Sequence, residues 1–184
     1  MSTLLIILAI AAVGIFWFIG GFNKLVHLKA LVDEAWSGID VQLKRRYDLI
    51  PNLVAVVKQY ATHEKSIFEQ IAQARSAAIN ARGVEDKAAA ESGLTQTLKT
   101  LFAVAENYPN LKANENFLSL QQDLGTIEND IQLARRYYNG AARNYNVAVA
   151  TFPSRIIASM SGYEKVPYFE LTIGAEREVP QVKF

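Results

Sequence analysis

The run TLLIILAIAAVGIFWFIGGF, from Thr3 to Phe22, carries no charged side chain. Roughly 20 apolar residues, each rising 1.5 Å in a helix, cross a bilayer core of ~30 Å. Inside hydrocarbon every backbone N–H and C=O must be satisfied within the chain, so the segment is predicted to be a helix and all that follows must fold beside a tether. Thr3, Leu4, Leu5, Ile6, Ile7, Leu8, Ala9, Ile10, Val13, Ile15, Phe16, Trp17, Phe18 and Ile19 are assigned to the transmembrane segment. Trp17 and Phe18 lie near its end, where interface aromatics collect. A cleaved signal peptide is the competing reading. It needs a basic n-region and a small-residue cleavage site, whereas Met1-Ser2-Thr3 has no basic side chain and Phe22-Asn23-Lys24 makes a poor site.

Flanking charge sets the expected orientation. Lys24, Lys29, Lys44, Arg45 and Arg46 follow the span and no basic side chain precedes it. The positive-inside rule therefore places the short N-terminus outside and the remainder in the cytoplasm. Lysine and arginine total 19 against 18 aspartates and glutamates, so no global charge draws the chain to nucleic acid. Cysteine is absent, which excludes disulfides, thiolate metal sites, cysteine nucleophiles and lipidation of a lipoprotein signal. His27 and His63 are too few for a histidine-rich metal cluster.

Beyond the span the apolar positions Leu28, Val32, Ala35, Ile39, Leu43, Tyr47, Ile50, Val54, Val57, Ala61, Phe68, Ile71 and Ala78 recur at helical intervals. The phase survives Pro51. A proline removes one hydrogen bond and crowds the preceding turn, yet a kink keeps the phase where a loop would lose it. One helix bent near Pro51 is expected to reach about Ala81, the alternative being a one-turn break with Asp48 capping a second helix. Gly83 is the first credible stop. A second helix is predicted from about Val84 to Asn107, with Leu94, Leu98, Leu101 and Val104 on one face. A third runs from about Asn114 to Thr151, with a near-heptad seam from Phe117 through Leu124, Ile131, Tyr138 and Tyr145. A short helical turn is predicted over Ser154 to Met160, then a mostly irregular tail in which Tyr168 to Ile173 alternates weakly. The fold class is all-α: a transmembrane helix over 1–23, an elongated antiparallel bundle of long helices over 24–160, and a tail over 161–184.

Little chemistry stands out. His63-Glu64 invites a metal-hydrolase reading, but that helix needs a second histidine where Ile67 stands. Glu64 shares a face with Val57, Ala61 and Phe68, so its carboxylate needs a partner, which Arg135 or a tyrosine of the third helix could supply. Arg46, Glu64, Glu128, Arg135, Tyr138, Asn139 and Asn146 are the candidates for an interhelical polar network, a device that fixes register more than it adds stability. The Glu-x-x-His spacing of a di-metal bundle is missing. Basic clusters interleaved with Tyr47, Tyr137, Tyr138 and Tyr145 resemble a single-strand binding surface, but these tyrosines fall at core or near-core spacing. Lys44 and Arg45 point outward as candidate contacts for a partner or for lipid. On a straight helix Arg45 stands ~35 Å from the membrane, beyond a Debye length of ~8 Å. No phosphate loop and no Ser-His-Asp pattern is present.

The stretch WSGIDVQLKRRYDLIPNLV, Trp36 to Val54, with YATHE at Tyr60 to Glu64, resembles the bacterial LemA family. Glu128-Asn129, Ala134-Arg135, Tyr138-Asn139 and Tyr145-Asn146 fit its third-helix pattern, and Phe152-Pro153 with Arg177, Pro180, Val182 and Phe184 fit its tail. Departures at Ala142 and Arg155 concern packing. The resemblance implies a membrane helix, a soluble antiparallel helical bundle and no established enzyme activity. It also implies kinship with proteins linked to bacterial internal-membrane formation and with others associated with membrane-protein quality control. The chain is accordingly expected to be a single-pass scaffold at the bacterial inner membrane that forms a homo-oligomer or recruits protein partners. No catalysis and no cofactor are expected. A membrane-shaping or lipid-contacting protein, and a ligand sensor with a site in the bundle, are the alternatives.

Overall fold

The computed structural model describes residues 1–170. Its helices are α1 (Ser2–Lys58), α2 (Lys65–Asn80), α3 (Gly83–Ala105), α4 (Pro109–Lys112), α5 (Glu115–Ala150) and α6 (Ser154–Met160). Among the described residues there is no strand. The uncharged run opens α1, and its apolar window is wholly unburied by the rest of the protein. The end of the tail, including Leu171 to Ile173 and the family-like residues Arg177 to Phe184, lies outside the described residues.

The first helix is shorter than the periodicity predicts. It passes Asp48 and Pro51 without a break and stops at Lys58, before a turn over 59–64 that contains neither glycine nor proline. Backbone bonds from Ala61 N to Val57 O (2.9 Å) and from Glu64 N to Ala61 O (3.3 Å) tighten this turn. The cause is tertiary. The Asn114 amide donates to Tyr60 Oη at 3.1 Å, and Tyr108 Oη donates to Glu64 at 3.3 Å, so the connection between α3 and α5 holds the turn open. Asn114 also caps α5, accepting from Phe117 N at 3.0 Å.

Two compact units result, one of residues 1–39 with 134–168, the other of residues 40–133 with 169–170. In the second unit α2 folds back along the end of α1: Lys58 lies over the Phe68 ring near its start, and Tyr47 reaches the Ala78 carbonyl near its end. α3 returns and the first half of α5 descends, giving an up-down-up-down bundle. Its core takes Leu43, Ile50 and Leu53 from α1, Ile71 from α2, Leu94, Leu98 and Leu101 from α3, and Leu124 and Ile127 from α5. These are largely the predicted stripes, with Leu53 rather than Val54 as the buried member beside Pro51.

In the first unit Leu25, Ala148, Ile157 and Ala158 form a cluster, and Phe18, Phe22, Leu28, Val149 and Tyr163 pack on it. Trp36 meets Tyr138 edge-on at 5.5 Å. The segment after α6 has no regular structure, yet it is tied down. Asn146 accepts from Val166 N and donates to Val166 O, both at 2.8 Å, and Tyr138 Oη donates to Pro167 O at 2.9 Å.

Candidate functional site

Position 46 falls one residue from the buried Tyr47 on α1, and the second unit encloses it: Arg46 is 2% exposed. A buried guanidinium must be paired. One of its terminal nitrogens donates to Glu91 of α3 at 2.9 Å. The other meets Glu128 of α5 at 2.9 Å and Thr95 Oγ1 at 2.9 Å. Glu91 is also 2% exposed and takes a hydrogen bond from Tyr47 Oη. Burial pushes the Glu91 carboxyl above the usual range, against the opposing pull of the Tyr47 hydroxyl and the Arg46 charge. Burial, then the bond to Glu91, pushes the Tyr47 phenol up as well. Lys87 donates to the Ala78 carbonyl at 3.0 Å and sits 5.9 Å from the Tyr47 ring.

A second feature follows from Pro51. Its missing N–H would have bonded to the carbonyl of Tyr47, four residues earlier. Arg75 Nε of α2 donates to that carbonyl at 2.8 Å, so a neighbouring helix satisfies what the proline leaves open.

The proposed polar residues are thus distributed. Arg46 and Glu128 meet in the second unit, where Glu64 sits in the 59–64 turn. Asn146 and Tyr138 of the first unit hold the segment around Val166 and Pro167. Arg135 and Asn139 lie half-buried on α5 in that unit. The partner of Glu64 is Tyr108, from the connection after α3, rather than a tyrosine of the long third helix. Tyr137, placed near the core by its spacing, is 55% exposed. Arg45 bonds Gln42 at 2.8 Å and pairs with Asp130 at 3.2 Å, while Lys44 is exposed.

Sequence reasoning missed Glu91, Tyr47, Thr95 and Arg75 as members of the cluster. Glu91 stands three residues before Leu94 on the α3 stripe, a charge at a core position, and that signal was legible. Two surface clefts flank this region. One of about 460 Å³ is lined by Arg45, Asp48, Leu49, Asn52, Asp123, Thr126 and Ile127. The other, about 340 Å³, lies along Pro51, Phe68 and Arg75. Neither is lined by Arg46 or Glu91. Among the described residues no three histidines or carboxylates gather as a metal site would need. The buried Arg46 instead pairs with the buried Glu91 of α3 and the half-buried Glu128 of α5, across three helices, which suits holding register.

An all-helical fold whose first helix begins with a long, uncharged and unburied run defines a membrane-associated helical protein. The chain belongs to the LemA family, whose sequence model matches residues 35–184. It is similar to Protein LemA of Metamycoplasma hominis, 27% identical over 96% of this chain and 80% of that protein. It is also similar to the Magnetosome protein MamQ of Magnetospirillum gryphiswaldense, 25% identical over 80% of this chain. Magnetosome protein MamQ 2 of Paramagnetospirillum magneticum is 24% identical over 81% of this chain. The chain spans 64% of the length of these MamQ relatives. None of these names is that of an enzyme.

Proposed function

We propose that this protein is a single-pass, non-catalytic scaffold of the bacterial inner membrane, with its helical units on the cytoplasmic side. On this reading it self-assembles or holds protein partners there. The observation that carries the reading is the inward commitment of its charges: the buried Arg46 pairs with the buried Glu91 and the half-buried Glu128, and none of the three lines either cleft. Exposed apolar side chains on the long helices, including Val41, Leu118, Leu133 and Val147, offer protein-contact surface outside the membrane run. The cytoplasmic placement rests on Lys24, Lys29 and the later basic residues.

In-cell cross-linking followed by mass spectrometry, with mass photometry of the detergent-solubilised chain, tests this. Self-links or reproducible partner links are expected. A strictly monomeric protein that captures no partner would sink the scaffold reading.

A further inference from the structure

α6 buries Ile157 and Ala158 and turns Ile156 and Met160 outward. Phe152, four residues before Ile156, is 82% exposed, and Met160 is 72% exposed. Within α6 a spacing of four sets Ile156 and Met160 on one side of the helix, and Phe152 lies in the turn that leads into it. Isolated exposed apolar residues are ordinary on a protein surface. What distinguishes these three is the position of α6.

Ile157 occupies the space a side chain at Gly21 would fill: a Cβ built there would fall 2.3 Å from Ile157 Cδ1. Phe18 and Phe22 pack on the cluster that contains Ile157 and Ala158, and the Phe22 ring lies 6.1 Å from that of Tyr163. α6 thus covers the last turn of the uncharged run, next to the first polar side chains, Asn23 and Lys24. A run whose helical length roughly matches a hydrocarbon core of ~30 Å ends at the boundary with the headgroups. An element packed on that last turn lies at the same depth.

We propose that Phe152, Ile156 and Met160 make a second membrane contact. The outer face of α6 seats in the headgroup–acyl boundary of the leaflet from which the span emerges, with the exposed Arg155 among the phosphates. Seven residues bind a bilayer weakly alone, but the span holds α6 there at high effective concentration. A lone transmembrane helix can rotate about its axis, and this contact fixes the rotation, so the first unit presents one face to the membrane. The inference rests on the run being a membrane helix, and its test separates the two.

The chain has no cysteine, so single cysteines can carry an environment-sensitive fluorophore in the full chain, reconstituted in nanodiscs of phosphatidylethanolamine and phosphatidylglycerol. Phe152→Cys, Ile156→Cys and Met160→Cys probe α6, Phe16→Cys probes the span, and Tyr137→Cys is the aqueous reference. The three α6 positions are expected to emit between the two references and to lose more intensity to headgroup-attached nitroxide lipids than to mid-chain ones. Water-like emission at all three, with Phe16→Cys in lipid, would overturn the second contact and leave the anchor standing. A blue shift that lipid nitroxides do not quench means cover by protein and overturns it too. Water-like emission at Phe16→Cys would overturn the anchor itself, and the inference with it.

Discussion

Arg46 holds one positive charge between two carboxylates, and the two differ in their access to water. Glu91 is 2% exposed and Glu128 34%. Arg46→Met would strand Glu91 in the core, at a cost of about 3–5 kcal/mol, read by urea unfolding in detergent. Glu91→Gln keeps polar atoms facing Arg46 and Tyr47 and should cost less. The pH dependence has a definite sign. The folded Glu91 carboxyl sits above its unfolded value, so the folded state takes up this proton first as pH falls. Its contribution is full below the unfolded value and is lost as pH rises through the folded one. The wild type should therefore gain stability relative to Glu91→Gln on acidification from neutral pH toward about 4.3, the unfolded glutamate value. An unchanged difference would show that the Arg46 charge offsets the burial. Pro51 and Arg75 offer a second test. Arg75→Met leaves the Tyr47 carbonyl without its donor, but Pro51→Ala restores an N–H four residues on. A double-mutant cycle should show coupling of about 1 kcal/mol or more, because Arg75→Met costs less once the backbone donor is present.

Elements here are held in ways their local sequence only partly announces. The stripes of α3 and α5 were legible because burial follows a helical period, and Leu94, Leu98, Leu101, Leu124 and Ile131 are buried as their spacing predicts. The end of α1 was not legible. Apolar phase continues from Val57 through Ala61 to Phe68, and no breaker stands at 59–64; only Asn114 and Tyr108, distant in sequence, mark the turn. The segment after α6 is a further case, since it has no period of its own and is held by side chains of α5. Asn146→Ala removes both bonds to Val166, and Tyr138→Phe removes the one to Pro167. Faster amide exchange at Val166 is expected for Asn146→Ala, with a loss of about 1–2 kcal/mol, while the α2 amides should keep their protection.

At the scale of the whole molecule the uncharged run and the rest of the first unit are not separable where the run ends. Phe18 and Phe22 belong by composition to the uncharged run, yet they pack on the cluster that holds Leu25 and Ile157, and the Phe22 ring meets that of Tyr163. A truncation that begins at Trp17 should therefore be more stable than one that begins at Lys24, by about 1–2 kcal/mol for each aromatic lost; thermal unfolding of the two in mild detergent checks this. Equal stability would mean those rings pack on the cluster without stabilising it. Composition and period alone were enough to establish an uncharged helix long enough to cross a membrane, helices as the regular structure of the described residues and most of their core, because an unbroken apolar run suits a helix and burial repeats with the helix turn. Three things were settled only by tertiary contact: the end of α1 at Lys58, the choice of Glu91 as the buried partner of Arg46, and the packing of α6 beside Gly21. Each depends on residues far apart in the chain, whose meeting no local pattern encodes.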